Sequence, residues 1–351
     1  MPKRLLVFFD GTWNTPDDDG DLDGNTSTNV RKLCEAVRPK DGDGTVQEVW
    51  YDEGVGTKWY EKVRGGAFGV GLSENIRQGY AKLAEKYAEG DEVWIFGFSR
   101  GAYTARSLVG MIRNAGLLKP EHKELIPEAY SLYRTRDGGA DSENAVFFRR
   151  EFSREVRVHF LGVWDTVGAL GIPLQSFNWF NRGFYQFHDT ELSGIVANAF
   201  HAVAIDEHRE SYSATLWEPK EKPNQRVEQV WFAGAHANVG GGYPEGGLSD
   251  VTLAWMMKKA EDCGLALDPA KAPRLPGDTT RLPIRDSYKQ FLGGVYGIVS
   301  PRHYRRIGGT LHGAESVDVS VRERLSGNPD YRPKNPVGEH ARGTASGRLR
   351  G

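Results

Sequence analysis

Cysteine is scarce in this chain of 351 residues: it occurs only at Cys34 and Cys263. A disulfide framework is therefore excluded, and a reducing compartment fits best. Excess charge of one sign is missing too. Lys plus Arg total 45 against 47 for Asp plus Glu, a net charge of −2, so no nucleic-acid partner is expected. No run approaches the roughly 18 apolar residues of a membrane span. The opening "MPKRLLVFFDGTWN" has a basic pair and then five apolar residues before Asp10, too few for a signal peptide. A cytoplasmic location is the default expectation, since export without a signal peptide would leave no trace here. No G-x-G-x-x-G fingerprint follows a strand, no Walker lysine motif occurs, and neither cysteine has a metal-ligand spacing. No metal and no organic cofactor is expected.

What is present suits one large α/β domain. Hydrophobic residues make up 39% and aromatics 11%, enough for a sizeable core. Apolar runs alternate with helical stretches, the pattern of a doubly wound, mainly parallel sheet with helices on both faces. "RLLVFF" reads as the first strand, and "STNVRKLCEAV" starts a helix capped by Ser27, Thr28 or Asn29. "VQEVWYD" is a strand, and "SENIRQGYAKLAEKY" a helix with Ile76, Tyr80, Leu83 and Tyr87 on one face. "EVRVHFLGVWDT" and "VEQVWFAGAH" read as further strands, "LSDVTLAWMMKKAEDCG" as a helix, and a helix is expected near 191–204. Residues 265–325 carry no clear pattern. The expected domain is 1–325, with cap insertions near 119–155 and 170–190. A polar, disordered tail is expected over 326–351.

"VWIFGFSRGAYTAR" poses the functional question. Its Gly97, Ser99 and Gly101 form a G-x-S-x-G motif between a strand and a helix, which resembles a nucleophile elbow. Among 43 glycines such a match means little alone. Its place at the C-terminal end of a strand, where open α/β sheets bind ligands, gives it weight. A serine nucleophile needs a base and an orienting carboxylate. Asp165 closes "HFLGVWDT" and His236 follows "VWFAG", in the chain order of an α/β-hydrolase, each just past a strand. Oxyanion donors are expected from the backbone N–H of Arg100 and of Gly11 or Thr12. Asp10 should then turn its side chain away and accept hydrogen bonds. Phe98 and the aromatic loop with Trp179, Phe180 and Phe184 are the candidate acyl-binding residues, as a lid, a membrane-surface contact or core.

"FFDGTWN", "GFSRGAYTAR", "GVWDTVGALG", "AIDEHRESYSATLW" and "VWFAGAHANVGGGYPEGGLSD" together resemble the α/β-hydrolase family that includes the type VI secretion phospholipase effectors. The resemblance runs from about residue 5 to 290. It implies a triad of Ser99, Asp165 and His236 and hydrolysis of glycerophospholipid acyl esters, with lipid as partner. That family's histidine motif usually reads His-x-Asp, where this chain has Asn238. Two alternatives remain at this stage. One is a soluble carboxylesterase or thioesterase; the other is a catalytically silent hydrolase fold that binds lipid or a partner protein.

Two further patterns receive plainer readings. Asp19, Asp21, Asp23 and Gly24 imitate the start of an EF-hand loop, but Val30 stands where its closing Glu belongs, so a solvated acidic loop is favoured. His201, Asp206 and His208 around "AIDEH" read as a charge network before a metal site, with Asp206 a rival triad acid.

Overall fold

The structure is a computed structural model, describing residues 2–11, 27–53, 68–135, 139–168, 191–218, 222, 224–290, 300–310, 314–335 and 337. Seven strands form one parallel sheet in the order β2-β1-β3-β6-β7-β8-β9. They are β1 (Arg4–Phe9), β2 (Gln47–Asp52), β3 (Glu92–Phe98), β6 (Val158–Trp164), β7 (Val196–Ala204), β8 (Arg226–Phe232) and β9 (Glu315–Val317). The expected doubly wound architecture is present, and alternation along the strands explains it. In β1, Leu5, Val7 and Phe9 point to one face, where α2 (Phe68–Lys86) and α3 (Arg100–Ala115) cover them. Leu6 and Phe8 point to the other, under α1 (Asn29–Ala36) and α7 (Leu248–Asp262). On that second face Phe8, Phe96, Phe160 and Phe200 stack across four adjacent strands, with successive ring centroids 4.8 to 5.1 Å apart.

The chain leaves β1 toward β2 on one side and continues through β3 on the other. This makes the C-terminal ends of β1 and β3 the switch point, where such sheets open a crevice. Thr28 is the cap of α1: its Oγ1 accepts from Arg31 N at 3.2 Å and donates to Asp10 Oδ2 at 2.6 Å, tying that helix to the end of β1.

Three expectations need correction. The stretch near 191–204 is not a helix but β7, a central strand buried on both faces from Ala199 to Ala204. Burial on both sides erases the alternation that marks a strand, and its alanines then favour helix by propensity alone. The segment 119–155 lies along α3 and does not read as a cap. It is closed by a two-stranded pair of β4 (Leu117–Leu118) and β5 (Ser153–Arg154). Its helices α4 (Ile126–Arg134) and α5 (Glu143–Phe152) brace α3, Tyr133 lying where a Cβ on Gly110 would fall.

The tail does not begin at Ser326, which sits inside α8 (Val319–Gly327). Beyond it Tyr331, Asn335 and Val337 are buried, Tyr331 and Val337 in an apolar cluster with Trp231 and Ile307. A few apolar side chains anchor a segment whose average composition is polar. The aromatic loop 170–190 with Trp179, Phe180 and Phe184, the acidic loop 17–25, and Thr12 lie outside the described residues. Among the described residues, no helix is long and apolar enough to cross a membrane.

Candidate active site

Ser99 sits between β3 and α3 at φ 58° and ψ −118°, a conformation that costs a non-glycine residue on the order of 1–3 kcal/mol. The surroundings impose it. Ser99 N donates to Trp164 O at 3.0 Å. A Cβ on Gly97 would fall 2.5 Å from Gly101 O, and one on Gly101 would fall 2.1 Å from Phe9 O. Both glycines of the motif are therefore required by backbone packed on backbone. The turn presents the serine hydroxyl at the switch-point crevice.

The three side chains expected at strand ends come together there. His236 Nε2 is 2.7 Å from Ser99 Oγ, and His236 Nδ1 is 2.5 Å from Asp165 Oδ2. Asp165 is fully buried, at φ 37° just past β6. Its carboxylate accepts four hydrogen bonds. Ala204 N (2.9 Å) and Arg305 Nη1 (2.6 Å) reach Oδ1, while His236 and Arg305 Nη2 (3.0 Å) reach Oδ2. Burial alone would raise this carboxyl's pKa, but the Arg305 charge and the bonds from His236 and Arg305 hold it well below the usual range. It stays ionised.

The histidine is gripped through its backbone. Three successive N–H groups are each held by a different side chain: Gly234 N by Asp206 Oδ2 (2.7 Å), Ala235 N by Asn238 Oδ1 (3.2 Å) and His236 N by Glu207 Oε2 (3.3 Å). Asn238 Oδ1 also accepts from Arg285 N at 3.3 Å, so the amide works here as an acceptor, without charge. Glu207 is fully buried; burial opposes its ionisation, yet the paired Arg209 guanidinium and nearby charges hold its pKa at about 2. It also accepts from Ser287 Oγ at 2.9 Å. Asp206 is thus no rival acid. Its contacts are Gly234 N and the Tyr331 hydroxyl at 3.1 Å, and burial raises its pKa. The His236 ring lies between Phe98 (centroids 4.7 Å apart, tilted) and Tyr212 (5.0 Å, edge to face).

Other candidates resolve as follows. Phe98 is buried, packed against Gly240 and beside the His236 imidazole. Gly11 adjoins the serine, since a Cβ on it would fall 3.3 Å from Ser99 Cβ. Its N–H donates to Asp10 Oδ1 at 2.7 Å, so here it is engaged by its neighbour's carboxyl. Asp10 turns away as expected, accepting also from Thr28 Oγ1 and Tyr51 OH (2.5 Å). Burial pushes its pKa up and the three donors work against that. Arg100 opens α3, placing its N–H at a helix N-terminus beside Ser99. His201 is buried, with burial and then the Arg106 charge lowering its pKa to about 3; its Nε2 accepts from Thr166 N at 3.1 Å. His208 Nδ1 donates to His303 O at 3.1 Å. Among the described residues no cluster is suited to a metal ion.

Sequence reasoning missed Arg305, Glu207, Arg209 and Ser287. Glu207 and Arg209 lie within a quoted motif, and their burial was the unreadable part. Arg305 comes from the stretch without pattern. It is anchored by a mutual pair between residues 208 and 303, His303 N donating to His208 O at 2.9 Å, and by Asn335 Nδ2 on its carbonyl at 2.6 Å.

The chain is 27% identical over 241 residues to the uncharacterized protein YEL023C of Saccharomyces cerevisiae, covering 62% of this chain and 33% of that protein. It thus spans about a third of that relative's length. Among solved structures it is similar to an uncharacterized protein from Pseudomonas aeruginosa, with 18% identity, 78% of this chain and 48% of the other covered, and a TM-score of 0.42. It is also similar to the Tle1 effector bound to the VgrG spike from the type 6 secretion system, with 19% identity, 70% and 52% covered, and a TM-score of 0.40. The model of the T6SS phospholipase effector Tle1-like catalytic domain matches residues 3–259, nearly three quarters of the sequence, and the chain belongs to that family.

Proposed function

We propose that this chain is a serine hydrolase that cleaves the acyl esters of phospholipids through Ser99, His236 and Asp165. The observation that carries the reading is the hydrogen-bonded sequence Ser99–His236–Asp165 at the switch-point crevice. In this mechanism His236 Nε2 takes the proton from Ser99 Oγ as the hydroxyl attacks the ester carbonyl. Asp165 fixes the tautomer that leaves Nε2 free to accept, and stabilises the imidazolium that forms. The Arg100 N–H, at the start of α3, is the first oxyanion donor. The second is Gly11 or Thr12: Gly11 adjoins Ser99, and to serve, its N–H turns from Asp10 Oδ1 to the oxyanion. His236 then returns its proton to the leaving alcohol, and water activated by the same imidazole releases the acyl group. Family membership supports lipid as the substrate class.

The test is acyl release from mixed phospholipid vesicles. Wild type should release fatty acid, and Ser99→Ala should lose about 10³-fold or more. Release that survives in Ser99→Ala would refute the mechanism. Turnover of short-chain esters alone would keep the mechanism and replace the substrate.

A further inference from the structure

Arg305 lies beyond residues 3–259, to which the family match extends, yet it touches the proposed triad acid with both terminal guanidinium nitrogens. Its side chain is 2% exposed against 0% for Asp165, so water screens neither. The fork is itself fixed from outside. Nη1 also donates to Ala204 O at 2.7 Å, Nη2 to Tyr212 O at 2.5 Å, and the Arg305 carbonyl is held by Asn335. An arginine in five such contacts orients the carboxylate plane bidentately, which a lysine point charge cannot do. Its charge has a second effect. A bare buried aspartate beside Nδ1 would pull a proton onto the imidazole, whereas an aspartate neutralised by arginine pulls less.

We infer that Arg305 is a positioning residue for the reaction, orienting Asp165 by its fork and offsetting with its charge the carboxylate that faces His236 Nδ1. The inference rests on the hydrolase reading above. The other groups around His236 do not reverse the sign. Glu207, on its backbone N–H, is paired with Arg209, which lies 3.6 Å over the Tyr212 ring. Asp206 is engaged by Gly234 N and Tyr331. Arg285 is paired with Glu245, and Arg100 interacts with Tyr212. Removing Arg305 therefore leaves Asp165 as the uncompensated anion at Nδ1.

The experiment compares wild type, Arg305→Gln and Arg305→Lys by two readouts. One is the pH profile of kcat/KM for acyl release; the other is the His236 titration followed by NMR of labelled imidazole, which needs no turnover. Arg305→Gln should move the acid limb to higher pH and lower kcat more than KM is changed, with the NMR titration moving in the same direction. Arg305→Lys keeps the charge and loses the fork: the titration should stay where it is while kcat falls about tenfold. An Arg305→Gln protein that melts lower with its titration and kcat unchanged would overturn the inference. If that variant does not fold, Arg305→Lys decides: wild-type kcat, or an acid limb moved to higher pH, overturns it. A wild type that releases no acyl group would refute the hydrolase reading, and the His236 titrations would still decide the electrostatic role of Arg305.

Discussion

Asp10 and Asp165 end the two strands that flank β3, both are buried, and both stand beside the Ser99 turn, yet their partners differ in kind. Asp165 is met by an arginine fork, a histidine and a backbone N–H, and its pKa is held down. Asp10 is met by two hydroxyls and the Gly11 N–H, and its pKa is pushed up by burial. The difference follows the proposed chemistry. Negative charge develops on the Gly11 side as an ester carbonyl is attacked, and a firm anion there would oppose it. Positive charge develops on the His236 side, where a firm anion helps. One carboxyl is held charged by a cation and a histidine, while burial raises the pKa of the other against three uncharged donors.

The largest test of this contrast is Asp165→Asn. Losing the carboxylate leaves His236 in the wrong tautomer, so kcat for acyl release should fall about 10⁴-fold with KM little changed. Glu207→Gln comes next, because it removes the buried carboxylate paired with Arg209. Breaking such a pair costs about 3–5 kcal/mol, and calorimetry should show a Tm lower by roughly 10 °C. Asp10→Asn should do much less. The Thr28 and Tyr51 hydroxyls can reverse their donor and acceptor roles around an amide, so kcat should stay within about tenfold of wild type. An Asp10→Asn enzyme as inactive as Asp165→Asn would break the comparison.

Acid stability sharpens it further. His201, whose Nε2 holds the Thr166 N–H next to Asp165, has its folded pKa lowered to about 3, against about 6.5 when unfolded. The unfolded chain therefore gains a proton that the folded one refuses as pH falls between those values. Stability present above pH ~6.5 is lost progressively toward pH ~3. Asp165 and Glu207, both depressed, add their loss only below about pH 5. Melting of His201→Gln between pH 7 and pH 5 should show a shallower dependence than wild type. A slope equal to wild type would remove His201 as its source. Asn238→Asp should have the smallest effect, within about threefold in kcat, because either side chain offers an oxygen to Ala235 N and Arg285 N.

What was legible in the sequence was whatever lay at a strand end within a local motif. Ser99 needed Gly97 and Gly101 beside it, and Asp165 and His236 each closed an apolar run, so one strand of evidence located each. Arg305 had no such mark. Its partner is 140 positions earlier in the chain, and "PRHYRRIGG" looks like any exposed basic loop until β9 and the 208–303 pair fold it inward. β7 was misread for the opposite reason, since burial on both faces removed its periodicity. The tail was misplaced because composition averages over a segment that three side chains, Tyr331, Asn335 and Val337, hold down.

The backbone contacts of the serine turn carry one more consequence. With Gly101 against Phe9 O and Gly97 against Gly101 O, the start of α3 rests directly on the end of β1, with no side chain between them. Ser99 and Gly11 are therefore held together by one stiff contact of helix on strand. In the proposed reaction, the freedom that a nucleophile and an oxyanion donor would otherwise lose on each encounter is lost once, during folding.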